Sequence, residues 1–142
     1  MSQDFPAALP PSFYLGLSQL NSGAYFACHE TLEALWLQEA GEVRQLYQGV
    51  IQIAVGCFHL TERANWVGAT RKLDEGARRI ERTLPFMPAS TAGYGVEWRA
   101  LIVDADRLQA HLQTLGPDNV REFDRGLLPR ARYDLPAAVA RD

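Results

Sequence analysis

Two short runs of the sequence carry the side chains best suited to chemistry. One is His29-Glu30-Thr31-Leu32-Glu33, and the other places Gln48, Gln52 and His59 at intervals of four and seven residues. Imidazole, carboxylate and amide groups can bind a metal ion, transfer protons or form a hydrogen-bond network. What these residues can do depends on the elements that position them.

The first run lies in the middle of a predicted helix over residues 24–39. At about 100° per residue, His29 falls inside the apolar stripe of this helix. Glu33 lies between apolar neighbours on both sides, so we expect it to be at least partly buried, and Glu30 lies at the edge of the stripe. A buried carboxylate needs a partner because its desolvation is costly. His29, four positions earlier, is the expected partner of Glu33.

The second run lies on a predicted helix over residues 42–63 that is apolar on nearly all sides, as is typical of a central helix. Gln48, Gln52 and His59 fall within about 40° of one another and form a narrow polar stripe. A very short turn joins this helix to the preceding one, so the two should be antiparallel neighbours. We therefore expect one polar cluster between the second and third helices.

This polar stripe allows three interpretations: a solvent-facing surface, a buried network that fixes the helix register, or a ligand site. In the last case His29, Glu33 and His59 would bind zinc, manganese or iron, and Glu30 would take a proton from metal-bound water in a metal-dependent hydrolase. The motif departs from known ones, because His-Glu-x-x-Glu lacks the second histidine of metalloproteases. Di-iron bundles also carry Glu and His in the opposite order to His59-Leu60-Thr61-Glu62.

No recognisable catalytic arrangement appears, so we favour a non-enzymatic binding or interaction module, and a homodimer is compatible with this interpretation. The sequence does not identify the partner. It establishes no cofactor, and a divalent metal belongs only to the metal-dependent hydrolase hypothesis. An apolar ligand cavity bounded by Trp36, Trp66 and Phe58 is a weaker alternative, since aromatic residues at helical spacing usually form the core.

The periodicity predicts an all-α fold with residues 1–142 as a single domain. Its architecture should be an antiparallel bundle of about five helices. A leader (1–10) should pack loosely, and the core helices should lie within residues 13–85. Residues 86–95 form a predicted loop, 96–115 a packing helix, and 118–142 an extended tail with a short helix near 120–125. Asn65 is the predicted N-cap of the fourth helix.

Composition narrows the function classes. Fourteen basic against 17 acidic residues give a net charge of −3, which argues against nucleic-acid binding because that needs clustered excess Lys and Arg. Arg78, Arg79 and Arg82 are interleaved with acidic residues and predict a solvated helix face. The N-terminus does not resemble a signal peptide and no run could span a membrane, so we expect a cytoplasmic protein. Cys28 and Cys57 lie in apolar runs and predict buried thiols.

Two runs also resemble the signatures of the domain of unknown function 309 family. They are Leu20-Asn21-Ser22-Gly23-Ala24-Tyr25-Phe26-Ala27-Cys28-His29-Glu30-Thr31-Leu32-Glu33-Ala34-Leu35-Trp36 and Gln48-Gly49-Val50-Ile51-Gln52-Ile53-Ala54-Val55-Gly56-Cys57-Phe58-His59-Leu60, followed by Asn65, Gly68 and Ala69. The resemblance is strong over about residues 13–85. It implies a small all-α protein and assigns no activity. It makes motif positions of the predicted cluster: His29, Glu30, Glu33, Gln48, Gln52, His59 and Asn65.

Overall fold

The computed structural model describes residues 4–140, apart from the side chains of residues 138 and 140. Within this range there is no β-strand, only an isolated bridge between Val96 and Tyr133. The predicted all-α fold is therefore confirmed, and the helices predicted over residues 24–39, 42–63 and 96–115 begin and end within a few residues of those bounds. The helices are α1 (Pro11–Asn21), α2 (Tyr25–Gln38), α3 (Arg44–Arg63), α4 (Trp66–Thr83), α5 (Trp98–Leu115) and α6 (Ala137–Ala140).

Local signals in the sequence account for several helix ends. Pro11 occupies the first turn of α1, where its missing N–H costs no helical hydrogen bond. Asn65 caps α4 as predicted, because its side-chain oxygen accepts a hydrogen bond from the Gly68 backbone N–H at 2.9 Å. None of the helices within residues 4–140 combines the length and apolarity needed to cross a membrane.

Glycines let the backbones of α3 and α4 approach each other closely. A Cβ atom built on Gly76 would lie 2.6 Å from the carbonyl oxygen of Gly49 and 3.0 Å from the backbone nitrogen of Ile53. Near the other end of the pair, a Cβ on Gly56 would lie 3.3 Å from the carbonyl oxygen of Ala69. The two helices are thus antiparallel, and glycines on both sides let their backbones meet.

The leader is better packed than predicted. Phe5 and Leu9 are both buried, and the Val43 backbone N–H donates to the carbonyl oxygen of Asp4 at 2.9 Å. The leader is held by these two apolar side chains, which insert into the core. The weak periodicity of the segment gave no signal of their burial. Residues 1–3 of the predicted leader lie outside the described residues.

The predicted loop and tail are mostly built of short 3₁₀ turns. These turns span Ala89–Gly95, Pro117–Glu122 and Arg125–Leu127, so the helix expected near 120–125 is a 3₁₀ segment. The Asn21 side chain anchors the tail to the end of α1, donating to the Ala131 carbonyl at 2.8 Å and accepting from the Ala131 N–H at 2.7 Å. The extended conformation predicted for 118–142 is therefore only partly observed, and residues 141–142 lie outside the described part.

Replacing Gly76 by alanine should destabilise the protein by about 1–3 kcal/mol, because the added Cβ meets fixed backbone atoms of α3. The gain of up to about 1 kcal/mol in helix propensity will not offset this overlap. Urea titration of Gly76→Ala measures the change. Gln113→Ala, at an exposed position of α5, is the control and should stay within about 0.5 kcal/mol of the parent. Equal stability of Gly76→Ala and the parent would contradict the close approach.

Candidate functional site

The structure divides the predicted site residues between two places. His29, Glu30 and Glu33 lie on the side of α2 that faces away from the core, whereas Gln52 and His59 lie beside α4. The predicted single cluster between the second and third helices is therefore wrong. The physical reason is the orientation of α3 about its own axis.

The glycines of α3 determine which neighbouring helix packs against its polar stripe. On a helical wheel, Gln52 and His59 lie within about 60° of Gly56, and Gly56 faces α4. The helix that packs on the glycines therefore also covers these two polar residues. Gly49 and Gly56 were visible in the sequence, and the preference of close helix contacts for glycine was the signal that would have placed the stripe correctly.

A hydrogen-bond network fills one side of the contact between α3 and α4. The Arg79 guanidinium donates to the side-chain amide oxygen Oε1 of Gln52 at 3.0 Å and to Oε1 of Gln45 at 2.6 Å. The Gln52 amide donates to Glu75 at 3.4 Å, and Lys72 donates to the same carboxylate oxygen at 3.0 Å. Gln52 is only 7% exposed. The arrangement links α3 to α4, whereas the network predicted from the sequence was expected to order the second and third helices.

The arginine cluster of α4 is therefore more than the solvated face predicted from the sequence. Arg79 faces α3, and Arg78 donates to both carboxylate oxygens of Asp106 on α5, at 2.9 and 2.7 Å. Neither role was predicted, because the interleaved acidic residues suggested local pairs within α4. Arg79 lies three residues after Gly76 and therefore on the side of α4 that faces α3. This spacing was visible in the sequence and could have predicted the contact.

His59 is packed against the first turn of α4. A Cβ built on Gly68 would lie 2.8 Å from the His59 ring, and the buried Nδ1 has no hydrogen-bond partner among the described residues. Burial, followed by the charges of Arg63 and Lys72, lowers the pKa of His59 below its usual value. The imidazole is therefore neutral at neutral pH. Gln48 is half-buried and does not join the network described above.

The predicted pair on α2 is confirmed, but its predicted burial is wrong. His29 Nε2 lies 3.2 Å from Glu33 Oε2, while the Glu33 side chain is 54% exposed. The apolar neighbours that suggested burial are themselves outside the core: Phe26 is 58% exposed and Leu37 is 69% exposed. Since α2 buries only one narrow side, this exposed pair does not provide the stabilisation that a buried pair would.

The three predicted metal ligands do not assemble. No group of three or more His, Cys, Asp or Glu side chains within the described residues could hold a metal ion. His29 and Glu33 lie on the open face of α2, whereas His59 packs against α4. Glu30, predicted as the base of the hydrolase, is exposed on the same open face of α2.

The aromatic residues of the weaker cavity hypothesis are held by specific contacts. The Trp66 indole N–H donates to the Leu112 carbonyl oxygen at 2.6 Å, which ties the start of α4 to the end of α5. The Arg44 guanidinium lies 3.8 Å from the centre of the Trp36 ring. Both tryptophans thus serve the packing of the bundle.

Cys28 and Cys57 are free, buried thiols, as predicted. Burial raises the pKa of each to about 12. Both side chains are therefore protonated at neutral pH. A protonated thiol in an apolar environment is a poor nucleophile, so neither residue forms part of the candidate site.

Comparison with known families gives one match. Residues 13–72 match the model of the domain of unknown function 309 family, DUF309. This range covers α1 to α3 and the start of α4, and it includes every predicted site residue, which confirms the resemblance seen in the two signatures. Glu75 and Arg79 lie beyond the matched range. No curated protein and no solved structure matches the chain.

Removal of the Arg79 guanidinium should destabilise the protein by about 1–3 kcal/mol, because Gln45 and Gln52 lose their common donor while Gln52 stays buried. The variant Arg79→Met keeps the aliphatic stem. Arg71→Met, at an exposed position of the same helix, is the matched control and should stay within about 0.5 kcal/mol of the parent in urea titration. Equal losses in the two variants would show that the network adds nothing.

His59 should make stability depend on pH. Its pKa in the folded protein lies below that of an exposed histidine, so the unfolded chain binds this proton at a higher pH. The free energy of unfolding therefore has its full value above about pH 6.5. The contribution linked to His59 is lost as the pH falls towards the pKa of His59 in the folded protein. His59→Gln should remove this part of the slope in urea titrations between pH 8 and 5. Parallel curves for the parent and the variant over that range would contradict the pKa direction.

Proposed function

The chain belongs, over residues 13–72, to the domain of unknown function 309 family, and on that premise we propose that it is an interaction module. Its docking surface is the outward stripe of α2 formed by Phe26, Glu30, Glu33 and Leu37, called here the α2 stripe. Its partner is a cationic amphipathic helix of another protein. The observation that carries this proposal is the exposure of Phe26 and Leu37 on either side of two carboxylates.

The spacing of the α2 stripe favours a helix as the partner. Its four residues occur at positions i, i+4, i+7 and i+11, which lie on one face of a helix. The two apolar ends are therefore about 16 Å apart along the axis. Single exposed apolar side chains are common on protein surfaces. Two of them aligned on one helix face match the anchor pattern by which helices dock against one another.

Contacts hold the Phe26 end of the stripe and also Trp36, the residue that precedes Leu37 at the other end. The Phe26 ring lies 6.2 Å from the Phe58 ring of α3 and 6.2 Å from the His29 ring. Near the other end, Arg44 covers Trp36 and donates to its carbonyl oxygen at 3.1 Å. Side chains that are held in place lose less conformational freedom on binding, which favours affinity.

The charge of the stripe favours a cationic partner over a second copy of the chain. Glu30 and Glu33 are both exposed between the apolar ends. If two α2 helices packed antiparallel with Phe26 of one against Leu37 of the other, Glu30 would face Glu33. In parallel packing in register, each glutamate would lie against the same glutamate of the second copy. Like charges repel in both arrangements, whereas Lys or Arg on a partner helix would pair with them.

A designed peptide provides the test. A helical 12-residue peptide with Leu at positions 1 and 12 and Lys at positions 5 and 8 complements the α2 stripe. Titration into the labelled protein, followed by NMR, should shift the amide signals of α2, and higher salt should weaken the binding because it screens the ion pairs. A peptide with Glu in place of both Lys residues should bind at least tenfold more weakly.

Variants of the protein separate the outcomes. Leu37→Ser and Glu30→Lys/Glu33→Lys change exposed positions and should each weaken binding at least tenfold. Val103→Ser, which alters an exposed apolar residue of α5, should bind as the parent does. Equal binding by all variants, or binding of the acidic peptide, would refute the proposal. A dimer that forms without peptide and is lost in Leu37→Ser would refute it in favour of self-association.

A further inference from the structure

A second feature lies at the start of α2, next to the Phe26 end of the α2 stripe. A cleft of about 490 Å³ opens between the turn that joins α1 to α2, the last turn of α3 and the tail. Its lining includes Asn21, Tyr25, Glu62, Arg125 and Arg130. The volume falls within the range of small-molecule sites, which is about 300–1,000 Å³. We propose that this cleft binds a small organic anion that carries hydroxyl groups.

The charges of the lining point to the anionic group. Arg125 and Arg130 both contribute to the wall. The ion pairs of arginine within residues 4–140 engage Arg78 and Arg132, which leaves the two cleft guanidiniums without a carboxylate partner. Guanidinium groups bind phosphate and carboxylate oxygens through two parallel N–H donors. Two unpaired arginines beside one cleft therefore suit an oxyanion.

Glu62 defines the other half of the ligand. It lines the same cleft, it is exposed, and none of the ion pairs in the described part of the chain includes it. The hydroxyl groups nearby are already engaged: Thr61 donates to the Cys57 carbonyl oxygen and Ser22 donates to that of Gln19. A ligand hydroxyl could donate to Glu62 while its anionic group contacts the arginines. A phosphate with a short polyol attached meets both requirements.

The tail wall of the cleft is held in place before any ligand arrives. The Ala131 backbone is paired with the Asn21 side chain in both directions, and the Arg130 N–H donates to Asp104 at 3.2 Å. Before Arg125, the Asp124 N–H donates to His111 Nε2 at 3.0 Å. These contacts fix the backbone on both sides of the two arginines. A preformed wall reduces the entropy lost on binding.

The proposal is tested by isothermal titration of the full chain with glycerol 3-phosphate, inorganic phosphate and glycerol. We expect glycerol 3-phosphate to bind more tightly than phosphate and glycerol not to bind. Glu62→Ala should remove the preference for glycerol 3-phosphate over phosphate while leaving phosphate binding within threefold. Arg125→Ala/Arg130→Ala should weaken glycerol 3-phosphate binding at least tenfold.

Two further variants keep the test decisive. Arg121→Ala removes an exposed arginine that does not line the cleft, so it should leave the Kd within twofold of the parent. Arg125→Lys/Arg130→Lys keeps the charge without the planar donors and should give an intermediate Kd. If Arg121→Ala weakens binding as much as the cleft variants do, general electrostatic attraction explains the data and the site is refuted. Absence of binding by the folded parent would also refute it.

Discussion

The arrangement of this bundle depends on the contact between the backbones of α3 and α4. Gly76 faces the carbonyl oxygen of Gly49, and no side chain larger than hydrogen fits at that point without displacing one helix. Close approach brings long side chains on either side of the seam within hydrogen-bond distance, which is why Arg79 reaches two glutamines of α3. Polar residues at this contact are thus a consequence of glycine packing.

Because one side of α3 packs against α4, α2 packs against another side of α3. Helix α2 buries Tyr25, Cys28 and Leu32 and leaves its opposite side open. The family signature on α2 therefore divides by depth, with Cys28 and Leu32 serving the core and Glu30 and Glu33 facing outward. Glu30, Glu33 and Leu37 lie exposed on this open face, and recognition of another molecule is the role that we propose for them.

Much of the fold could be predicted from the sequence because helix periodicity and terminators act locally. Pro11 and Asn65 sit where helices begin, and five helices follow from apolar spacing alone. The candidate site was harder, because a helical wheel orders residues around an axis without telling which neighbour faces them. His29 and Glu33 were paired correctly because both lie on one helix, whereas Gln52 and His59 were assigned to the wrong neighbour.

The predicted burial was also wrong where apolar residues in the sequence lie outside the core. Phe26 and Leu37 made the surroundings of Glu33 look buried in sequence, although both are exposed. Phe5 and Leu9 show the reverse, since they are buried in a segment with little periodicity. In both cases the tertiary environment decides, and a single sequence carries no direct record of it.

The clamp between Asn21 and Ala131 also affects how the molecule is made. It joins residues 110 positions apart, so it closes a long loop and can form only after the intervening helices have collapsed. Until the tail docks on the end of α1, one wall of the cleft is missing. The small-molecule binding that we propose for that cleft would therefore begin only once the tail had docked.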